Sequence, residues 1–297
     1  AISYDTGGQL LGASMTNYLD STLVTRIETA INKARAMNSD LSLASVLDKT
    51  FNANNLSTKQ FNAFNFFVSS NYEHEYSADI NSLSVQSFDD SDDYSGDDAL
   101  FPLGYDQLTT ALAVGLSIHL NHLVSKVEYT KQSVTIVTSQ GDFVADRVVI
   151  TVPLGVLKHQ VIEFTPDLPT AKRQAIDTLG MGVLNKTYLR FPYAFWPSKY
   201  DWLEYLSANK GEWCEWISGF ERYMQKPILL GFNAATFGTR IETWSDEDIV
   251  QSAMRTLQIV YGKDIAQPDD YQITRWASDP HSFGAYSYYT VGSDRST

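Results

Sequence analysis

The chain has few of the residues that build disulfides and metal sites. It has a single cysteine, Cys214, which excludes an intrachain disulfide and any cysteine-rich metal site. Its five histidines are scattered, without the spacing of metal ligands, so we expect no metal site. No apolar run approaches the roughly 20 residues that span a bilayer, so we expect no transmembrane helix and a soluble protein.

Acidic residues outnumber basic residues in the chain. The sequence has 22 Lys and Arg against 35 Asp and Glu, a formal net charge of -13. Because a surface that binds nucleic acid needs clustered Lys and Arg, this balance argues against a nucleic-acid partner. The acidity is compatible with a cationic ligand such as an amine, and equally with a role in keeping the protein in solution.

A complete glycine-rich phosphate loop is missing. Gly180 and Gly182 resemble part of one, but the third glycine is absent and the pair stands between a predicted helix and a predicted strand. A dinucleotide fingerprint needs strand and then helix, because the phosphates bind at the helix N-terminus. The chain also starts at Ala1 without the pattern of a signal peptide, and we expect it to be part of a longer protein.

The first third of the chain has the pattern of helices. Leu19, Leu23, Ile27 and Ile31 recur every four residues and form one apolar stripe. Ser57, followed three residues later by a glutamine, is a capping box that predicts the start of another helix. Further helices are predicted from Gly104 through Leu116, over residues 169–179, and over residues 245–261 between Ser245 and Gly262.

Short β runs follow, mixed with helices. Residues 146–152 start with Asp-Arg and continue as the largely apolar Val-Val-Ile-Thr-Val, and we expect them to be a buried strand ending at Pro153. Gly141-Asp142 predicts a tight turn before this strand. Strands are predicted over residues 118–129, 134–138, 143–152, 188–191, 213–217 and 228–235.

Lys186 interrupts a run that otherwise has the pattern of a core strand. Period-2 alternation puts Leu184, Lys186 and Tyr188 on one face. Asn185 and Thr187 lie on the other. A lysine in such a strand loses hydration, so we expect it to be paired, held in a cleft that water reaches, or catalytic. The alternative is a lysine on an edge strand that points to solvent.

Three segments together resemble the flavin-containing amine oxidase family, nearest to its polyamine oxidase and lysine-specific histone demethylase branches. They are the Pro-Leu-Gly-Val-Leu-Lys string at residues 153–158, the Asn-Lys pair at residues 185–186, and the Trp-x-x-Asp-Pro…Gly-x-Tyr-Ser-Tyr string at residues 276–288. Their order and spacing match the family, and the resemblance covers essentially the whole chain.

The resemblance implies an α/β and α+β fold, with a mixed-sheet substrate domain and part of a Rossmann-like FAD-binding domain. The family's N-terminal Gly-x-Gly-x-x-Gly strand–helix unit and C-terminal FAD-binding segment have no counterpart here, so we expect the chain alone to be inactive. The implied division is a helical first part of the substrate domain over residues 1–98, FAD-binding parts over 99–165 and 273–297, and the rest of the substrate domain over 166–272.

The resemblance also implies roles for individual residues. Lys186 matches a lysine that holds a water hydrogen-bonded to flavin N5, and Trp276 matches an aromatic residue against the flavin ring. Ala285 stands where the monoamine oxidase branch has a flavin-linked cysteine, which implies non-covalent FAD. The other implied contacts are Val127 at the adenine end, Pro153 and Leu154 at the flavin edge, and Tyr286 as one wall of an aromatic cage.

The sequence also offers candidate substrate-binding residues. Tyr286 faces the amine in the resemblance, while Tyr288 is equally compatible with packing. The acidic run at residues 89–98 matches an entrance that binds cations, although a solvated loop is the alternative. The full set of candidates is Tyr286, Tyr288, Glu73, Glu75, Asp89 and Asp92.

The implied activity is oxidation of an amine C–N bond by hydride transfer to flavin N5. The products are an imine, hydrolysed to an aldehyde, and hydrogen peroxide from dioxygen. A polyamine or related small amine is favoured over a methyl-lysine tail, because no coiled-coil insertion of the kind that docks chromatin partners is present. The alternatives are a demethylase-like oxidase and a non-catalytic binding or scaffold protein without flavin. The sequence leaves the compartment and the oligomeric state open.

Overall fold

The protein divides into two compact units. The computed structural model describes residues 1–37, 39–52, 55–90, 95–96, 99, 101 and 103–297. The first unit comprises Ala1–Asp89 with Asp177–Thr297, and the second is Asp90–Ile176. The second unit contains residues 99–165, which the sequence analysis assigns to an FAD-binding domain. Residues 273–297, assigned to the same domain, lie in the first unit.

Two helices begin where capping residues predict. At the start of one helix Ser57 accepts a hydrogen bond from the Gln60 amide at 3.3 Å, and Gln60 Oε1 accepts one from the Ser57 amide at 3.0 Å, which confirms the capping box. Ser245 caps the longest helix in the same way. The helices are α1 Ala13–Asn17, α2 Val24–Arg35, α3 Leu43–Thr50, α4 Thr58–Val68, α5 His74–Tyr76, α6 Asp106–Leu112, α7 Leu154–Lys158, α8 Thr170–Thr178, α9 Phe220–Met224, α10 Ala235–Ile241 and α11 Asp246–Tyr261, with π-helical turns at Tyr18–Leu23 and Ser69–Glu73.

The strands form mixed sheets, as the predicted fold class requires. They are β1 Ile2–Tyr4, β2 Val124–Tyr129, β3 Val134–Thr138, β4 Gly141–Ala145, β5 Glu163–Thr165, β6 Gly180–Met181, β7 Leu184–Arg190, β8 Trp202–Tyr205, β9 Glu215–Ile217, β10 Ile228–Ala234, β11 Asp270–Ile273 and β12 Ser287–Tyr288.

The first unit is built on a six-stranded sheet in the order β1-β8-β9-β10-β7-β11. The first pair is parallel and the other pairs are antiparallel. Strand β7 therefore has a partner on both sides, and the reading of Lys186 as an edge-strand residue is wrong. The stripe of Leu19, Leu23, Ile27 and Ile31 is buried in the helical core of the same unit, as predicted.

The second unit contains a four-stranded sheet in the order β4-β3-β2-β5, in which only β2 and β5 are parallel. Strand β3 has the predicted bounds, whereas β2 and β4 are shorter than expected. The first predicted strand starts only at Val124, and the turn lies at residues 139–140, before Gly141. Helix α6 ends at Leu112 rather than Leu116, and Gly115 has a positive φ of 80°.

The predicted buried strand over residues 146–152 is the largest error of the sequence-based prediction. They are not a buried strand: Val149 is 85% exposed, and the segment pairs with no strand of the described chain. An apolar run becomes a buried strand only where neighbouring strands satisfy its backbone amides and carbonyls. The run does end at Pro153, the residue that precedes α7, as predicted.

Candidate active site

Strand β7 carries Lys186 on an apolar face. Leu184 packs with Leu230 and Phe232 on this face, and Leu189 packs in a separate core cluster on the opposite face, which confirms the predicted alternation. Lys186 is half-buried, directly opposite Phe232 in the β7–β10 register, with Nζ 5.9 Å from the ring centroid. Within the described part of the chain its ammonium has neither an ion-pair partner nor a hydrogen-bond acceptor.

The segment that carries Trp276 and Tyr286 docks beside the start of β7. The Gly182 amide donates to the Tyr286 carbonyl at 2.8 Å, and the Ala285 amide donates to the Gly182 carbonyl at 2.7 Å. Only glycine fits at position 182, because a Cβ there would lie 2.2 Å from the Ser77 carbonyl oxygen. The second glycine of the apparent phosphate loop therefore serves close packing.

A cleft of about 450 Å³ opens on this face of the sheet. Its size falls in the range of small-molecule sites. Phe232 is one of its lining residues, with the Trp202 ring stacked at 5.8 Å and the His74 ring at 6.1 Å. The cleft is lined by Ser70, His74, Glu75, Leu184, Trp202, Glu215, Phe232 and Tyr286.

The π-helical turn Ser69–Glu73 shapes one wall of the cleft. Such turns often occur at functional sites, because they change which side chains a helix presents. Here Ser70 Oγ donates to Glu215 Oε1 at 2.6 Å, and His74 Nδ1 lies 2.6 Å from Glu215 Oε2. Both oxygens of a carboxylate on β9 are thus held by one helical segment.

His74 and Glu215 form a buried ion pair. Burial lowers the pKa of the His74 imidazole, but the electrostatic interactions and hydrogen bonds with Cys214 and Glu215 outweigh burial and raise the pKa to about 10. Burial raises the pKa of Glu215, yet the hydrogen bond and charge of His74 outweigh it and the pKa falls below its usual value. The pair is therefore charged but neutral overall.

Cys214 completes a Cys–His–Glu arrangement that resembles a catalytic triad. Its Sγ lies 3.7 Å from His74 Nε2. The side chain is only 1% exposed and does not line the cleft, and burial raises the pKa of the thiol. A reactive cysteine needs access and a stabilised thiolate, so this one has a structural role.

Glu75 supplies the uncompensated charge of the cleft. It is exposed at the lining, and in the described residues its carboxylate has no ion-pair or hydrogen-bond partner. Partial burial and the Glu75 charge both raise the pKa of Tyr286. A carboxylate near an aromatic ring is an arrangement suited to an ammonium group.

Lys186 lies on the same face of the sheet but is not a lining residue of the cleft, and the remaining predicted residues of the first unit also lie outside the lining. Trp276 is 38% exposed and anchored through its backbone, and the Tyr288 ring packs on Gly180. Glu73 is buried in an ion pair with Lys210 at 2.6 Å, and Asp89 forms an ion pair with Arg35. Asp92 lies outside the described residues.

The predicted cofactor contacts in the second unit have ordinary local environments. Val127 is buried in the middle of β2, opposite Phe164 of β5 and Ile136 of β3. Pro153 is exposed immediately before α7, and Leu154 is the half-buried first residue of that helix.

Sequence reasoning missed the residues that give the cleft its polarity. His74 is grouped with scattered histidines, and Glu215 carries no motif of its own. The available signal was the i, i+4 spacing of Ser70 and His74, which puts two hydrogen-bonding side chains on one helix face. Their common partner lies 141 residues from His74, and no local pattern identifies it.

Neither a metal centre nor a membrane-spanning helix is found among the described residues. Among them, no group of three or more His, Cys, Asp or Glu side chains is arranged to hold a metal ion. None of their helices combines the length and apolar character needed to cross a membrane.

The chain is similar in sequence to known proteins of plants. A 221-residue stretch is 37% identical to probable polyamine oxidase 4 of Arabidopsis thaliana and covers 73% of this chain and 44% of that protein. A 230-residue stretch is 33% identical to lysine-specific histone demethylase 1 homolog 1 of Oryza sativa subsp. japonica and covers 75% of this chain and 27% of that protein. The chain thus spans less than half the length of these relatives.

Solved structures share the fold. Wild-type putrescine oxidase bound to putrescine superposes with a TM-score of 0.73 at 15% identity, over 98% of this chain and 70% of that one. The family model described as flavin containing amine oxidoreductase matches residues 12–297. These findings confirm the family that the motifs at residues 153–158, 185–186 and 276–288 resemble, and its fold. The chain belongs to the flavin-containing amine oxidoreductase family.

Proposed function

We propose that the protein is an FAD-dependent oxidase of a polyamine or related small amine. The observation that carries the proposal is Lys186, whose half-buried ammonium lies near the Phe232 ring on an interior strand and has no ion-pair partner or hydrogen-bond acceptor in the described residues. An unpaired, partly desolvated charge costs free energy unless water or a bound group solvates it. A lysine that holds a water at flavin N5 satisfies this requirement.

The aromatic surface near β7 suits a flavin. Tyr286 is 44% exposed and Trp276 is 38% exposed, although the segment that carries them is firmly docked. Rigid ring surface of this kind is suited to stacking against a planar cofactor. Ala285, at the position of a flavin-linked cysteine in the resemblance, supports non-covalent binding. The remaining proposed cofactor contacts are Val127, Pro153 and Leu154.

The side chains of the cleft would bind and orient the amine. A bound flavin would supply the two-electron oxidation, as acceptor of a hydride from the carbon next to the amine nitrogen, with dioxygen as the final electron acceptor and hydrogen peroxide as the product. The substrate is left as an imine, which water hydrolyses to an aldehyde. Tyr286 offers an aromatic face to the amine, and Lys186 holds a water molecule.

The charge of the cleft favours a diamine or polyamine. The His74–Glu215 pair is neutral overall, so Glu75 is the uncompensated charge among the lining residues. The reacting amine must be uncharged to lose hydride, and one further ammonium on the same substrate matches Glu75. Glu73 and Asp89 are already paired with basic residues, so we leave them out of the proposed site.

The test uses the complete gene product, purified and loaded with FAD. We expect bound flavin and peroxide release with spermidine or spermine, in preference to a methyl-lysine peptide. Replacing Lys186 with Met should slow flavin reduction or reoxidation about 100-fold, within the range for loss of a proton-transferring group.

The matched control is Lys199→Met, because Lys199 is an exposed lysine whose ammonium lies 4.7 Å from the Tyr200 ring centroid. This variant should keep normal flavin kinetics. Unchanged kinetics in Lys186→Met would remove the proposed role of Lys186. Failure of the complete gene product to bind any flavin would favour the non-catalytic alternative.

A further inference from the structure

Asn185 lies directly behind Lys186, on the opposite face of β7, and is fully buried. Its amide nitrogen donates to the Gly238 carbonyl at 3.2 Å and to Glu242 Oε1 at 2.7 Å. Its amide oxygen accepts from the Trp276 backbone amide at 3.0 Å and from Thr274 Oγ1 at 3.2 Å. Two donor hydrogens and two lone pairs are the full capacity of an asparagine side chain, so every one is used.

Glu242 continues the same network along the Trp276 segment. Its Oε1 also accepts from the Ala277 backbone amide at 2.9 Å. Its Oε2 accepts from the Ser278 backbone amide at 2.8 Å and from Ser278 Oγ at 2.6 Å. Hydrogen bonds to a carboxylate are roughly twice as strong as neutral ones. Two side chains therefore hold three consecutive backbone amides, those of residues 276–278.

The backbone of Lys186 is tied to the same segment. Its amide donates to Thr274 Oγ1 at 2.8 Å, and its carbonyl accepts from the Thr274 amide at 3.0 Å. Directly after β11, Thr274 is thus bonded to both Lys186 and Asn185, and two residues later the Trp276 amide is bonded to Asn185 as well. The position of Trp276 is set relative to the residue that carries the ammonium.

We propose that Asn185 and Glu242 are positioning residues that hold the Trp276 segment at a fixed distance from Lys186. We call the pair the Asn185–Glu242 latch. Its effect on catalysis rests on the proposed function, in which Trp276 and Lys186 both face the flavin. The latch itself is a property of the folded chain, and neither residue lines the cleft.

The first test measures backbone hydrogen exchange of residues 276–278 without flavin. Glu242→Ala removes the carboxylate, and Asn185→Asp is a nearly isosteric change that places two carboxylates against each other. We expect exchange at these amides to accelerate at least about tenfold, with no change in α11. Thr187→Val is the matched control, because Thr187 is buried on the same face of β7 and its hydroxyl has no hydrogen-bond partner among the residues that the structure describes.

Unchanged exchange at residues 276–278 in Glu242→Ala, or an equal increase in α11, would overturn the latch. The second test uses the flavin-loaded complete gene product. We expect the latch variants to lower kcat with little change in KM and to increase flavin fluorescence, since a displaced Trp276 quenches less. Faster exchange with normal kcat and fluorescence would refute the positioning role. Absence of flavin from the unaltered protein would count against the proposed function alone, because hydrogen exchange at residues 276–278 tests the latch without flavin.

Discussion

Replacing Glu215 with Gln tests whether the His74–Glu215 pair stabilises the wall of the cleft. His74 Nδ1 and Glu215 Oε2 are 2.6 Å apart, which at an effective dielectric constant of about 20 corresponds to about 6 kcal/mol of attraction. Desolvation offsets much of it, and removal of one partner from a buried pair costs about 3–5 kcal/mol. Because the Glu215 side chain is 15% exposed, we expect Glu215→Gln to lower the free energy of unfolding by about 3 kcal/mol, the lower end of this range.

The loss of stability in Glu215→Gln should depend on pH in a defined direction. The pKa of His74 is raised from 6.5 to about 10, so its contribution is complete below pH 6.5 and is lost as the pH rises towards 10. The pKa of Glu215 is lowered from 4.5, so its contribution is present above pH 4.5 and is lost as the pH falls. The variant should therefore be most destabilised between about pH 4.5 and 6.5.

The assay is urea unfolding followed by tryptophan fluorescence. All six tryptophans lie in the first unit, so the signal reports on the unit that contains the pair. Glu247→Gln, on the exposed face of α11, controls for loss of a charge. The double variant His74→Phe/Glu215→Leu should be more stable than the sum of its single changes implies, because neither charge remains buried. Additive losses, or a loss independent of pH, would refute the ion-pair reasoning.

Three other outcomes follow from the described contacts. Glu75→Gln should raise KM for a polyamine about fivefold in the peroxide assay with little change in kcat, since a partly exposed ion pair contributes about 1 kcal/mol; an unchanged KM would exclude Glu75 from binding. Cys214, at 1% exposure, should resist iodoacetamide in the native protein and react fully in urea, as mass spectrometry will show. Backbone amides of residues 146–152 should exchange with deuterium much faster than those of residues 134–138, which pair with strands on both sides. Equal protection would show that residues 146–152 have a partner.

The sequence predicted well those elements that depend on nearby residues. The bonds of Ser57 to Gln60 and of Ser245 to Asp248 span three positions, so capping patterns identify them. The alternation along β7 is likewise local, because successive side chains in a strand point to opposite faces. It correctly separated Lys186 from Asn185 before any partner strand was known.

What the sequence could not predict depends on distant partners. Residues 146–152 have the composition of a core strand, but burial depends on strands that the pattern does not contain. The cleft is similar: Glu215 gains its role only because the helical segment of Ser70 and His74 packs against β9. The motifs identified Lys186 and Tyr286, yet the arrangement of Phe232 between the polar wall and the ammonium emerges only from strand pairing.

Strand register connects the two functions that we assign to β7. In the β7–β10 pair, Phe232 lies opposite Lys186 and Asn233 lies opposite Asn185. A slip of one residue would exchange the two faces, moving the ammonium into the buried network and the amide into the cleft. Burial of Leu184 on one face and Leu189 on the other opposes such a slip, because both would leave their core clusters. The apolar residues of β7 therefore do more than stabilise the sheet, since they determine that the lysine lies on the face where the cleft opens while the asparagine holds the Trp276 segment.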